Sequence, residues 1–311
     1  SSAPVARMER TGGRHGPLHL IRCISSESDM TQDYSRGSRR RRRGALRIGA
    51  LAAIPGFLLS CTTMERRAGT YVRDMQEAAP TQERPDDDVI TEADLQSLPP
   101  LVQQYFEFAR VVGKPRIDSF GFVMEGRIRQ SRDAAWMPFV SRQYNDLRKP
   151  SRVYYINAKN SPMTGIDSYL DGKGRMHIKL FNLVTVGDST GPEMDRAALV
   201  TFLNDLMVSP NAYFSVPVQW RQIDDSHAEL SLTHADMTVT ATLTFDAEGR
   251  IVNWESNDRY AEIDGAFLPD RWSTPIEEYG ELRGMRVPAK ARGVHDVDGN
   301  PYTYVELNRL T

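Results

Sequence analysis

"IDSFGFVMEGRIRQ", residues 117–130, is the stretch on which the fold turns. Phe120, Phe122, Met124 and Ile128 sit two or four residues apart among mostly polar or small neighbours. That is the period of a strand with one buried face. The stretch before it behaves differently. In "TEADLQSLPPLVQQYFEFARVVGKP", residues 91–115, Leu101, Val102, Tyr105, Phe108, Ala109 and Val112 recur on a helical period. Thr91 with Asp94 three residues on is a variant of the capping box. Pro99 and Pro100 suit a second helix start, and Gly113 before Lys114-Pro115 is a stop signal.

Downstream, the period of two persists. Strands are predicted at "MPFVSRQYN" (137–145), "SRVYYINAK" (151–159), "TGIDSYLD" (164–171) and "RMHIKLFNLVTVGD" (175–188), with "DGKG" (171–174) as a hairpin turn. One helix interrupts: "GPEMDRAALVTFLNDLMVSP", residues 191–210. Pro192, Glu193 and Asp195 suit its start, Leu199, Phe202, Leu203, Leu206 and Met207 give it an apolar face, and Pro210 ends it. Seven further strands run from "VQWRQID" (218–224) to "PYTYVELNRL" (301–310), with glycine turns at "DAEG" (246–249) and "DVDGNP" (296–301). About a dozen strands, two or three helices and no strand–helix alternation make the fold α+β, mainly β, with an antiparallel sheet. No Pro/Gly-rich linker breaks residues 91–311, so they are expected to form one domain.

The region before Thr91 reads as an address. Arg39 to Arg43 precede an apolar run, Ile48 to Leu59, which is shorter than the roughly 20 residues of a membrane span but fits the core of a secretory signal. Leu58-Leu59-Ser60-Cys61 resembles the lipobox of bacterial lipoproteins. That resemblance implies cleavage before Cys61, acylation of Cys61, and a membrane partner reached through the lipid on the exported side of the cell envelope. Ser38-Arg39-Arg40 also resembles a twin-arginine export signal. Met30 opens a leader of conventional form, and residues 1–60 are set apart from the fold. Residues 62–90 are charged and carry Pro80, Pro85 and Asp86 to Asp88, so residues 61–90 are expected to be an acylated cysteine with a mainly flexible spacer, a short helix near Tyr71 to Ala78 aside.

Charge excludes one class of partner. Residues 1–60 hold eleven arginines, no lysine and four acids, a balance of +7 in a chain whose total is −2, which leaves −9 for the rest. A part this acidic does not suit nucleic acid, whose binding rests on cations meeting phosphate. The two cysteines, Cys23 and Cys61, both fall in the leader or at its cut. The folded part therefore has no disulfide, thiolate nucleophile or cysteine metal site.

Five segments carry a wider resemblance: "LPPLVQQYFEFA", "WMPFVSRQ", "DSYLDGKGRMHIKL", "GPEMDRAALVTFLND" and "TPIEEYGELRGMRVPAKA". Together they resemble a bacterial domain family of unknown function, over about Leu98 to Leu310. The "GPEMD" helix start and "YGELRGMRVP" are its most specific parts. It implies no catalytic or binding residues. In architecture the meander with helices resembles the lipoprotein-carrier (LolA/LolB-like) type, which implies a large curved antiparallel sheet, an incomplete barrel, around its helices.

The residues themselves assign little chemistry. His177, His227, His234 and His295 lack metal-ligand spacing. Glu277 and Glu278 are adjacent on a strand and point to opposite faces. Asp167, Asp171 and His177 are able to meet only across the "DGKG" hairpin. There is no G-x-S-x-G elbow, P-loop or dinucleotide-binding glycine pattern. No catalytic, metal or cofactor residue is assigned. The "GPEMDR" helix start offers amides to an anion, but Glu193 and Asp195 already occupy that field. Trp136, Trp220, Trp254 and Trp272 are core residues or the lining of an apolar cavity. Binding of a lipid, another apolar ligand or a protein partner is the leading expectation, with Leu199, Phe202, Leu203 and Leu206 as the face that gates a cavity or plugs it. An envelope hydrolase using carboxylates and histidines, and a purely structural lipoprotein, are the alternatives. A connected apolar cavity of roughly 300 Å³ or more favours the first.

Overall fold

The computed structural model describes residues 63–78, 84–85, 87–263 and 265–311. The residues read above as a leader with a lipobox-like end, and Cys61, lie outside the described residues.

The first described helix, α1 (Met64–Glu77), is capped by the Thr63 hydroxyl, which accepts from the Arg66 amide at 3.2 Å. Two short helices follow, α2 (Glu92–Gln96) and α3 (Pro100–Ala109). The Thr91 amide donates to Asp94 at 2.8 Å, which completes the capping box read from the sequence. Helix α3 stops earlier than Gly113, because Arg110 already adopts the left-handed conformation, at φ 61°. Val112 is consequently exposed, and Phe106 joins Leu101, Val102, Tyr105 and Ala109 in the core instead.

Six strands then run as a meander: β1 (Ser119–Ile128), β2 (Met137–Asp146), β3 (Ser151–Ala158), β4 (Met163–Leu170), β5 (Lys173–Leu180) and β6 (Val184–Ser189). Helix α4 (Pro192–Asp205) and two 3-10 turns, Leu206–Val208 and Pro210–Ser215, carry the chain across. A second meander follows: β7 (Gln219–Gln222), β8 (His227–His234), β9 (Met237–Phe245), β10 (Ile251–Ile263), β11 (Ala266–Leu282), β12 (Met285–Val297) and β13 (Asn300–Leu310). All thirteen strands form one antiparallel sheet in the order β6-β5-β4-β3-β2-β1-β13-β12-β11-β10-β9-β8-β7. Pairing of β1 with β13 sutures the two meanders, with Met124 opposite Leu310 and Ile128 opposite Val305.

The segment 175–188, expected as one strand, is a hairpin. Phe181 and Asn182 both take positive φ, 53° and 57°, and the Leu183 amide donates to the Leu180 carbonyl at 3.0 Å. Without a glycine, this turn has no conspicuous sequence signal. The Asp171-Gly172 turn, with φ 53° and 77°, is where the sequence puts it.

The sheet curls into a half-barrel with α4 inside. The helix touches β4 and β5 of one meander and β9 and β10 of the other. Across the mouth, the Tyr169 hydroxyl meets His234 Nδ1 at 2.8 Å, joining β4 to β8. Helix α4 is buried almost all round, which is why it lacks a solvent-facing polar face of the usual kind: Met194, Ala197, Ala198, Leu199, Val200, Phe202 and Leu203 are all buried. Gly174 on β5 lets it come close. A Cβ there would lie 2.2 Å from the Met194 carbonyl oxygen. Asp195 then clamps the contact, accepting from the Gly174 amide at 2.7 Å and Lys173 Nζ at 2.8 Å. Asp195 therefore ties the helix to the sheet, where the sequence suggested it would cap its own helix.

The stretch expected as a flexible spacer contains α1, which starts earlier than the helix expected near Tyr71. Its face of Met64, Ala68, Tyr71, Val72 and Met75 packs on Val153, Tyr155 and Ile166, on the convex side of β3 and β4. The charge of this stretch masked the i, i+4 apolar spacing 64–68–72 that docks it.

Candidate functional site

Between α4 and the middle of the sheet lies a cavity of about 330 Å³. At about 30 Å³ per molecule in the liquid, this is the room of roughly eleven waters. Phe122, Met124 and Ile128 of the opening stretch form one apolar wall; Met176, Phe267 and Leu307 extend it. The helix side consists of Met194, Ala197, Thr201, Asn204 and Asp205, followed by Val208 and by Met207, the one residue of the expected apolar face that reaches the cavity. These recur at three- and four-residue intervals and so share one helical face.

That face is not the one expected. Leu199, Phe202, Leu203 and Leu206 are all 0% exposed and pack in the main core with Phe106, Tyr213 and Trp254, away from the cavity lining. The helix buries both sides, its large residues sealing the core and its small and polar ones facing the cavity. The sequence signal for the lining was the sparse stripe of Ala197, Thr201 and Asn204, which hydrophobicity alone does not pick out.

The floor of the cavity is charged. Arg152, on β3, is 2% exposed. Its Nη1 donates to Asp167 at 2.6 Å and its Nε to Asp205 at 3.0 Å. Asp205 also accepts from Gln143 and, at 3.3 Å, from Asn145 Nδ2. Burial raises the Asp205 pKa above the usual carboxylate value, and Arg152 and the amide donors only partly oppose this. Burial works against the Arg152 cation too, but the two carboxylates outweigh it and hold its pKa above the ordinary value. Asp167 Oδ1 is buried without a partner among the described residues.

Aromatic and basic groups complete the lining. The Arg259 guanidinium lies 4.4 Å from the Trp272 ring centroid, and Nη1 is held by the Ala197 carbonyl at 3.1 Å and by the Thr201 hydroxyl. Its Nε has no partner among the described residues. Trp272 Nε1 donates to the Tyr304 hydroxyl at 3.2 Å, and burial raises the Tyr304 pKa. His295 stacks on Tyr304 at 4.0 Å and meets Asp270 through Nδ1 at 2.5 Å.

Other singled-out residues scatter. Asp167 pairs with Arg152, Asp171 with Lys149, and His177 with Thr185. His177 stands opposite Ile166 on the α1 side of the sheet, so Asp167, one residue on, faces the other way. His227 meets Asp224 at 2.9 Å. Glu277 pairs with Arg292 and Glu278 with Lys290. Among the described residues no group of three His, Cys, Asp or Glu is placed to hold a metal ion. Of the tryptophans, Trp272 lines the cavity, Trp254 and Trp220 pack in or against the core, and Trp136 lies beneath Arg127 and Arg129. The arrangement suits holding an apolar body with a polar end. Its acids are engaged by arginine or by neighbouring donors, and the Ser189 hydroxyl in the lining contacts Glu262 rather than a histidine.

No curated protein matches the chain. Among solved structures, the crystal structure of a DUF1329 family protein from Desulfovibrio piger ATCC 29098 is 8% identical, over 68% of this chain and 90% of that one, with a TM-score of 0.33. This likeness is too weak to bear on function. The family match is of another order. It spans residues 88–307, from just before α2 into β13, and includes both "GPEMD" and "YGELRGMRVP". On that match the chain belongs to DUF6544, a family of unknown function.

Proposed function

We propose that this protein is an envelope lipoprotein, acylated at Cys61, that binds a single-chain apolar or amphiphilic molecule between α4 and the sheet. The observation that carries the binding is the cavity of about 330 Å³ with its wall of Phe122, Met124, Ile128, Met176, Phe267 and Leu307. Its size falls in the usual range of ligand pockets, which are mostly apolar with a few placed polar groups. Arg259, steered by Ala197 and Thr201, is the group that meets the polar end of the ligand. The lipobox supports the anchor.

Titration of a fluorescent fatty acid into the purified chain carrying Cys61→Ser tests the binding. Saturable uptake is expected, and Ala197→Phe, which fills the cavity from the helix side, abolishes it. Absence of uptake by the parent, or unchanged uptake by Ala197→Phe, rejects the reading. For the anchor, Cys61→Ser is expected to lose the acyl mass and leave the membrane fraction of cells. The Asp270–His295 contact favours a second reading, an envelope hydrolase, since it supplies the oriented base of a hydrolytic site. Ester hydrolysis by the parent, abolished by His295→Gln, would establish it.

A further inference from the structure

We infer that the β5–β6 hairpin is a second membrane contact, seated in the lipid interface beside the acylated cysteine. The inference rests on the Cys61 anchor proposed above. Among the described residues, seven large hydrophobic side chains are exposed, and four of them fall within six positions: Phe181, Leu183, Val184 and Val186. Such clustering marks an interaction surface, whereas single exposed apolar residues are ordinary. The tip is also conformationally costly. Phe181 is 70% exposed and sits at φ 53°, a region that bulky residues avoid. Neither strain nor exposure of this ring serves the packing of the domain.

The location identifies the occupant. Asn182 Oδ1, at the same tip, accepts from the Met64 amide at 3.1 Å and from the Thr164 hydroxyl at 3.2 Å. The hairpin is thereby fastened to the first turn of α1. Cys61 is three residues before Met64, and three residues reach at most about 11 Å. Acyl chains on Cys61 therefore enter the bilayer within about 11 Å of a point bonded to this apolar tip. Helix α1 is docked on β3 and β4, so from Met64 onward the chain is part of the domain and does not act as a spacer. Arg66 on the first turn of α1 and Lys179 on β5, which stands opposite Thr185 of β6, have no carboxylate partner among the described residues and suit anionic headgroups. The contact also covers β6, an edge strand exposed on both faces that would otherwise invite pairing.

The test uses the full chain, acylated in cells and reconstituted into phosphatidylethanolamine–phosphatidylglycerol vesicles. An environment-sensitive label is placed at Phe181→Cys, and separately at Val184→Cys, the introduced thiol being the one free cysteine once cleavage removes Cys23 and acylation blocks Cys61. Ile223→Cys, an exposed apolar position on the turn after β7, is the control. Labels at 181 and 184 are expected to lose about half or more of their emission when the lipid chains are brominated, as for side chains roughly 5–10 Å into the headgroup–acyl boundary. The label at 223 stays unquenched. An acylated, vesicle-bound protein whose labels at 181 and 184 are quenched no more than the control overturns the hairpin contact and leaves the anchor standing. A chain that carries no acyl mass overturns both.

Discussion

Arg152→Met is the sharpest test of the charged floor. The substitution keeps the length and apolar stem of the side chain but deletes the cation between Asp167 and Asp205, at 2.6 and 3.0 Å. All three residues are nearly sealed from solvent, at 2%, 6% and 8% exposure. Removing one partner of a buried pair costs about 3–5 kcal/mol, because the charge left behind has lost its counterion and is poorly solvated. Against the usual 5–15 kcal/mol of a domain, this is enough to populate the unfolded state. The sign of the pH dependence is fixed by Asp205. Its folded pKa is already raised, so the folded state binds a proton before the unfolded chain does, and stability is gained as pH falls through that pKa toward about 3.9. The penalty of Arg152→Met is therefore largest at pH 7 and shrinks on acidification. Urea unfolding at neutral and mildly acidic pH measures it. Adding Asp167→Asn and Asp205→Asn to Arg152→Met is expected to restore most of the loss at pH 7. A loss under about 1 kcal/mol, or one that does not change with pH, would mean that water solvates the trio and that the floor is not a desolvated ion cluster.

The two faces of α4 separate stability from binding. Phe202→Ala is expected to destabilise by about 3–5 kcal/mol while leaving the affinity of the folded protein for a fatty-acid probe unchanged, by urea titration and fluorescence. Gly174→Ala forces a methyl onto the Met194 carbonyl and is expected to cost at least about 1–3 kcal/mol and to weaken probe binding by displacing the helix. Burial depresses the pKa of both His177 and His234 below 6.5, so the unfolded chain takes up protons first and stability falls as pH drops below about 6.5. In His234→Asn the slope of unfolding free energy against pH in that window should flatten; an unchanged slope would assign it to other groups.

Much of the fold is written in local pattern. The period of two across 117–130, the Asp171-Gly172 turn and the Pro192 helix start each depend on a few neighbouring residues, and each appears where its signal lies. The hairpin at Phe181-Asn182 was hidden because the usual glycine is missing. The early start and docking of helix α1 were hidden because they depend on a face made by distant strands. The site was harder still. Phe122, Met124 and Ile128 were legible as a buried face, but not as the wall of a space left unfilled. The large residues of α4 drew attention away from Ala197, Thr201 and Asn204, whose role comes from what they fail to fill. Arg152, Asp167 and Asp205 meet only through the curl of the sheet, and no spacing along the chain announces them.

The pairing of β1 with β13 also orders events in time. In the sheet, β13 is the seventh of thirteen strands and so stands at the centre, yet every other strand precedes it in the chain. A chain emerging from its start is able to form the hairpins of the first meander early, since each joins neighbours. It cannot bring the two halves of the sheet together until β13 is made. Synthesis thus starts beside the middle with β1, runs out to the β6 edge, resumes at the β7 edge and reaches the middle again only with β13. Before that moment β1 presents an unpaired flank bearing Phe122, Met124 and Ile128. Closure of a loop from β1 to β13 is slow relative to local hairpins, and the assembly of the cavity waits upon it. In this protein, the rate-limiting step of folding and the formation of the binding space are expected to be the same event, which stopped-flow refolding in the presence of the fluorescent fatty acid would show as a single shared phase.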